Sequence, residues 1–381
     1  MREVAVIGGG TTIFGKFPQR TSEELGKEAI VAAMKDAGIK PKDVEFGCCA
    51  TVYGGFCVGQ RIFKEVGIAN IEIVNVENAC AGGATAFRES WFRIATGQCD
   101  IAIAAGVESM TTSPIAGKLI PPPPDDLDGE LGLVVPIFFA MMMKRHMYEH
   151  QTTLEQFAKI SVKNHHNGCL NPYSQYQKEL TVEEILNSRS ICDPITLLQC
   201  CPNTDGAAAV VLCASNIAKR FKNKPMIAAA SVLGSGDYLY RWRDGTFSDM
   251  SHKAAKQAYD MAGIGPEDID CIELHDPFTV CELMHYEDLG LCKKGQGGQL
   301  IDSRVTWIGG KIPVNPSGGL LSKGHPLSAT GIAQIVETGW QLRGVAGKRQ
   351  VEGAKVALTH VIGGYVAGLE SGAVGIHIFK V

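Results

Sequence analysis

The 381-residue chain has thirteen cysteines but no C-x-x-C pair. They fall singly or as the adjacent pairs Cys48-Cys49 and Cys200-Cys201, which is not zinc-ligand spacing, so no metal site is expected. There is no basic run and the formal net charge is only −4, which argues against nucleic acid as a partner. No apolar stretch reaches membrane-spanning length, and Met1-Arg-Glu-Val does not read as an export signal. The expectation is a cytoplasmic protein with reduced thiols, and their number suits life with little oxygen. A dinucleotide loop is missing too. Val4-Ala-Val-Ile-Gly-Gly-Gly10 runs a strand into glycines without the G-x-G-x-x-G spacing. What is present is a 45% hydrophobic chain, long enough for a large core and two or three domains.

Its organisation is a repeat. Thr21-Ser-Glu-Glu24 offers a capping box for a helix that Gly38 stops, and Phe46–Tyr53 reads as a strand. Ala37-Gly-Ile-Lys-Pro-Lys-Asp-Val44 is echoed by Ala262-Gly-Ile-Gly-Pro-Glu-Asp-Ile269, after a helix over Ser251–Met261 and before a strand at Cys271–His275. The buried-type strand Asp100–Ser109 is matched by Lys355–Gly364. Corresponding segments in the same order imply two copies of one α/β unit with mainly parallel sheets. Residues 1–112 and 193–224 make the first unit, 225–381 the second, and 113–192 an inserted region. The insertion opens with the stiff Pro121-Pro-Pro-Pro124 and an acidic turn, then continues with helices over Val135–His150 and Thr153–Asn164. Met141, Met142 and Met143 read as core packing. His146 and His150 stand one helical turn apart, but Lys144 and Arg145 beside them disfavour a metal.

One cysteine is placed for chemistry. Cys80 lies where the run Ile73–Asn78 meets a small-residue turn and a helical pattern to about Thr96. Near a helix N-terminus the field lowers a thiol pKa, although a buried cysteine is more often a small hydrophobe. Its counterpart in the second copy is Asn315–Gly331, which carries Gly324-His325-Pro326. His275 in Leu274-His-Asp-Pro-Phe278 and His360 in Thr359-His-Val-Ile-Gly-Gly364 also fall at strand or turn ends. Singly each histidine reads as structural. A thiolate nucleophile, however, needs an imidazole to take its proton, and a carbonyl under attack needs donors for its oxyanion.

On these motifs the chain resembles the thiolase superfamily along nearly its whole length. Asn78-Ala-Cys80-Ala-Gly is similar to the nucleophile loop, Gly324-His325-Pro326 to the G-H-P loop, and Leu274–Phe278 to the H-D-x-F loop of the sterol-carrier-type branch. The inserted region and Gly331–Glu337 resemble archaeal and anaerobic-bacterial members. The resemblance implies a layered α/β/α/β/α fold with an inserted loop domain. It implies an acyltransferase running Claisen chemistry in either direction, with CoA as co-substrate and no permanently bound cofactor. Cys80 would be the nucleophile and His325 its base. His275 would hold an enolate oxygen, and the N–H groups of Gly363 and Cys80 would form the oxyanion hole. The family's C-x-G cysteine aligns with Val361 and is absent, and the branch's H-D-C-F cysteine is Pro277 here. His360 is therefore the expected second acid/base.

Phe278, Tyr148 and Tyr173 are expected pocket residues. The resemblance further implies a homodimeric core and a small partner with an OB fold and a zinc ribbon. It also suggests an aryl or branched substrate such as benzoylsuccinyl-CoA, met in anaerobic degradation. A decarboxylating condensing enzyme and a non-catalytic subunit are the competing readings.

Overall fold

The computed structural model describes residues 1–120, 126–238, 243–366 and 370–381. The Pro121–Pro124 segment lies outside them. The main sheet comprises β1 (Val4–Thr11), β2 (Phe46–Ala50), β3 (Glu72–Val76), β4 (Ile101–Ser109), β5 (Asp205–Ala214), β6 (Met226–Gly234), β7 (Cys271–Glu273), β8 (Val356–Gly363) and β9 (Ala373–Lys380). Its order is β3-β2-β4-β5-β1-β6-β9-β8-β7. About the β1–β6 contact this order mirrors itself, with β6, β9, β8 and β7 standing for β1, β5, β4 and β2. The counterpart of β3 has shrunk to a single parallel bridge, Ile272 to Val314. In each unit every strand but one points the same way. The exceptions are β5 and β9, each antiparallel to both neighbours. Two sheets were expected. The antiparallel pairs Ala5–Ile227 and Val6–Met226 join them into one.

The main helices are α1 (Ser22–Ala37), α2 (Gly82–Ala95), α3 (Val135–His150), α4 (Leu154–Cys169), α5 (Asp249–Ala262), α6 (Thr279–Asp288) and α7 (Leu327–Leu342). The capping box at Thr21 forms, and α1 and α5 both end on a left-handed glycine, Gly38 (φ 77°) and Gly263 (φ 69°). Three apolar cores define the layers. One packs α1 on the first unit's outer face, one packs α5 and α6 on the second's, and the central one holds α2 and α7 between the units. This is the five-layer α/β/α/β/α arrangement. The glycines of β1 serve packing rather than phosphate binding, because a Cβ on Gly8 or Gly10 would collide with the α1 backbone.

The excursion between β4 and β5 lays α3 and α4 against α6 of the second unit. The three methionines part company there: Met143 is buried, Met142 faces the cavity described below, and Met141 is exposed. His146 is held between Thr152 and Glu287, at 2.8 and 3.2 Å, and is structural.

Candidate active site

The chain leaves β3 and turns at Ala79, whose φ of 47° lies in the left-handed region that a non-glycine residue enters at a cost. Glu77 Oε1 accepts the Ala79 N–H at 2.5 Å and holds the turn. A single tight turn, Ala79–Ala81, then leads into α2 and presents Cys80. The counterpart in the second unit is longer. From Val314 the chain passes through Asn315 and a wide turn at Gly319–Lys323, and reaches His325 before α7 begins at Leu327. The two helices meet on glycines. A Cβ on Gly83 would strike the backbone of Ser328 and Ile332, and one on Gly331 the Ala84 nitrogen. This close crossing brings the two turns together.

His325 Nε2 lies 3.2 Å from Cys80 Sγ, and its Nδ1 lies 2.8 Å from Thr330 Oγ1. The Thr330 hydroxyl donates its own proton to the Pro326 carbonyl at 3.2 Å, so it accepts from Nδ1–H. That leaves Nε2 as a lone pair aimed at the thiol. Burial holds His325 down at about 3 and pushes Cys80 up to about 12, with the Glu108 carboxyl adding to the rise at Cys80. The expected thiolate is therefore corrected. Desolvation outweighs the helix field, and the resting pair is neutral thiol and neutral imidazole. The amides of Cys80 and Gly364 do favour the anion once it forms.

His275 joins this pair. Its ring centroid is 5.3 Å from that of His325, and one nitrogen or sulfur atom of each of Cys80, His275 and His325 lies within 4.8 Å of the others. Among the described residues this is the one group with metal-ligand spacing. Its chemistry suits a nucleophile better, because the thiol is held neutral and no carboxylate joins it. His275 Nδ1 is buried without a protein partner, and burial depresses its pKa well below the usual imidazole range. The adjacent Asp276 is anchored by Asn164 Nδ2 at 2.7 Å and accepts the Leu320 N–H at 2.7 Å. Asp276 thus ties the His275 loop to the turn that carries His325.

The expected roles of His360 and Gly363 need correction. His360 is fully buried, with Nε2 3.0 Å from Ser251 Oγ on α5, on the opposite face of β8 from the Cys80 turn. Gly363 touches the turn, since a Cβ there would collide with the Asn78 carbonyl, but the amide beside the sulfur is that of Gly364. Phe278 lines the cavity, whereas Tyr148 is 76% exposed and Tyr173 stacks on Trp340. The cavity holds about 1020 Å³ and opens between the two units, with Phe139 and Met142 of α3 on its wall. Sequence reasoning missed Cys201, Tyr365 and His285, which also line it. Cys201 donates its N–H to the Pro277 carbonyl at 2.8 Å and is close enough to Cys80 for their charges to interact. The only sequence signal was the adjacent pair Cys200-Cys201.

Two family models match the chain, "Thiolase, N-terminal domain" over residues 4–216 and "Thiolase C-terminal domain-like" over 235–371. An acetyl-CoA acetyltransferase of Methanothermobacter thermautotrophicus is 42% identical over the whole of both chains. The benzoylsuccinyl-CoA thiolase subunit BbsB of Thauera aromatica is 39% identical over 95% of each. Among solved structures, an Ltp2-ChsH2(DUF35) aldolase superposes with a TM-score of 0.86 at 25% identity, over 99% of this chain and 98% of that one. No helix among the described residues is long and apolar enough to cross a membrane.

Proposed function

The chain belongs to the thiolase family, and on that footing we propose an acyl-CoA C-acyltransferase with Cys80 as nucleophile. It cleaves a β-ketoacyl-CoA with free CoA, or runs the reverse Claisen condensation. The observation that carries this reading is the 3.2 Å approach of Cys80 Sγ to an imidazole nitrogen whose tautomer Thr330 fixes.

As Sγ attacks the 3-keto carbon, His325 Nε2 takes the thiol proton. The amides of Cys80 and Gly364 stabilise the oxyanion. The bond to the α-carbon breaks, and His275 holds the oxygen of the departing enolate. The α-carbon must then gain a proton, and we assign its donor as Cys201. Burial keeps that thiol protonated, and it stands beside Pro277, where the related branch carries a cysteine. The proton on His325 returns to the Cys201 sulfur. His325 next deprotonates CoA, whose sulfur attacks the acyl group, and Cys80 leaves with that proton.

A β-ketoacyl-CoA panel with CoA, followed through the enolate absorbance and the product thioesters, tests the reading. Thiolysis is expected for at least one member, and none with a candidate partner present would overturn it. In Cys201→Ala the acyl-Cys80 adduct should still form, while kcat falls about a hundredfold. An unchanged kcat would remove Cys201 from the mechanism.

CoA is the co-substrate in this proposal, and no resident cofactor is required. The aromatic wall at Phe139 and Phe278, with the likeness to the Thauera thiolase subunit, supports an aryl or branched acyl chain. That relative is named a subunit and the aldolase neighbour contains two proteins, which supports a small OB-fold, zinc-ribbon partner for this chain. A homodimeric core would use β3, the edge strand of the first unit, whose outer side no described strand covers. Thirteen free thiols suit a reducing compartment, and we place the protein in the cytoplasm.

A further inference from the structure

One wall of the cavity carries a polar pair that the reaction above does not use. It is built by α3, the start of α5, and α6, with Phe139, Met142 and Met284 as apolar lining. Within it stands His285 of α6, with only 5% of its surface exposed. Its Nδ1 lies 2.8 Å from Oδ2 of Asp288, which is fully buried, and Asp288 Oδ1 accepts the Ser248 N–H at 2.9 Å. The ring packs edge-on against His360, their centroids 4.5 Å apart. Among the described residues nothing bonds His285 Nε2.

Burying an imidazole and a carboxylate on an acyl-binding wall is costly unless their hydrogen bonds are completed. Asp288 completes one side of the ring, takes Nδ1–H, and leaves Nε2 as an acceptor in the neutral imidazole. The second side is open for a ligand. We propose that His285 Nε2 binds a hydroxyl group on the acyl chain, so that the substrate is a hydroxylated β-ketoacyl-CoA. This rests on the thiolase reading and names its substrate class. A hydroxyl donates to the neutral ring and accepts from the protonated one, so it fits either state. A carboxylate would approach Asp288 and the cavity-lining Asp249, both of its own sign. A plain alkyl chain would leave Nε2 unpaired, which is the loss by which polar sites reject apolar analogues.

The test uses β-ketoacyl-CoA thioesters of one chain length ending in methyl, hydroxymethyl or carboxylate. Their binding to Cys80→Ala protein is measured by calorimetry, and their turnover by the unmodified protein. The hydroxylated chain should bind about tenfold tighter than the methyl one. His285→Leu, made in the Cys80→Ala protein, should abolish that preference by tightening the methyl ligand relative to the hydroxylated one. Asp288→Asn should reduce it, because an amide no longer dictates the tautomer. Equal binding of the methyl and hydroxylated chains, or tightest binding of the carboxylate, overturns the proposal without any variant. A uniform loss across the panel in His285→Leu would mark a structural role and overturn it too. Binding with the expected preference but no turnover would instead refute the thiolase reading and leave this one standing.

Discussion

The two strand–turn–helix segments share one topology and carry opposite chemistry. In the first unit, β3 is a full strand and a short turn delivers Cys80 to α2. In the second, the equivalent strand is one bridge at Val314, and a long turn delivers His325 to α7. The difference is one of reach. A nucleophile needs a rigid elbow, whereas on the longer turn Thr330 orients the imidazole, Thr204 accepts the His325 backbone N–H and Asp276 anchors the turn at Leu320. The units also make room for each other. Gly106 on β4 leaves space for Ser328 at the start of α7, and Gly363 on β8 leaves space for Asn78 and Ala81 before α2. The corresponding strands β4 and β8 are thus each hollowed where the other unit's turn arrives. Duplication supplied the scaffold, and divergence of two turns supplied the pair.

Removing either member breaks the comparison most severely. Cys80→Ala and His325→Ala should each lower kcat more than about a thousandfold. Making both should cost little more than making one, since they act as a unit. Iodoacetamide labelling provides a second readout. Cys80 should alkylate faster with His325 present than in His325→Ala, and equal rates would mean that the imidazole does not activate the thiol.

The reciprocal glycines come next. Gly363→Ala forces a methyl into the Asn78 carbonyl and should displace the nucleophile turn, lowering kcat about a hundredfold. Gly106→Ala forces one into the Ser328 carbonyl and should displace the histidine side instead. Both should also cost about 1–3 kcal/mol in chemical denaturation. Both variants should slow iodoacetamide labelling, Gly363→Ala by moving the thiol and Gly106→Ala by drawing away the imidazole that activates it. In a His325→Ala background only Gly363→Ala should slow it further, and that pattern would show that each unit's hollow serves the other's turn. Wild-type activity in either variant would show that the close approach is incidental.

The features that read correctly from sequence are those encoded locally. The echo of Ala37–Val44 in Ala262–Ile269 is a glycine stop plus a proline turn, and both copies form it. Gly83 and Gly331, which let α2 and α7 touch, follow Cys80 and His325 within the same motifs, so motif and geometry coincide. The period-two alternation of a strand excludes His360 from the Cys80 turn. His360 is three residues from Gly363 on one strand, which puts their side-chain positions on opposite faces of the sheet. Cys201 owes its position to backbone pairing with Pro277, seventy-six positions on, and no local pattern encodes that. The upward Cys80 shift is likewise not encoded locally. Helix polarity is legible in a sequence, but the burial that outweighs it is a property of the assembled units.

The depressed imidazoles give a third contrast, between a ring placed for chemistry and one placed for packing. His325 and His377 are both held at about 3 by burial, and His377 sits on β9 against Phe87. Their folded pKa lies below the unfolded value of about 6.5. Between these limits the unfolded chain binds protons that the folded chain refuses. Stability is therefore complete above about pH 6.5 and falls as pH drops through the window, by up to about 1.4 kcal/mol per ring per pH unit. Denaturant melts from pH 7 to 5 should show a shallower decline in His377→Phe, where that ring no longer titrates. His325 should separately leave no acid limb near pH 6.5 in kcat/KM. Such a limb, moved by substituting His325, would show that the ring is not held neutral in the working enzyme.

The smallest effect belongs to Thr330, which touches no substrate and acts only through His325. Thr330→Val keeps the shape and removes the acceptor of Nδ1–H, so the neutral ring is free to carry its proton on Nε2 instead. In that tautomer Nε2–H faces a thiol that also carries a proton, and the base is lost for that fraction of molecules. If the two tautomers become comparable in energy, kcat falls only severalfold, and up to about tenfold if the wrong one is favoured by a full hydrogen bond. Thr330→Ser should restore the rate, because its hydroxyl can occupy the same place between Nδ1 and the Pro326 carbonyl. Ring-nitrogen shifts of labelled His325 would report the tautomer directly in both variants. A slow Thr330→Val enzyme that kept Nδ1 protonated would trace the loss to displacement of the α7 turn rather than to the ring, and the long turn of the second unit would then not be what sets the base.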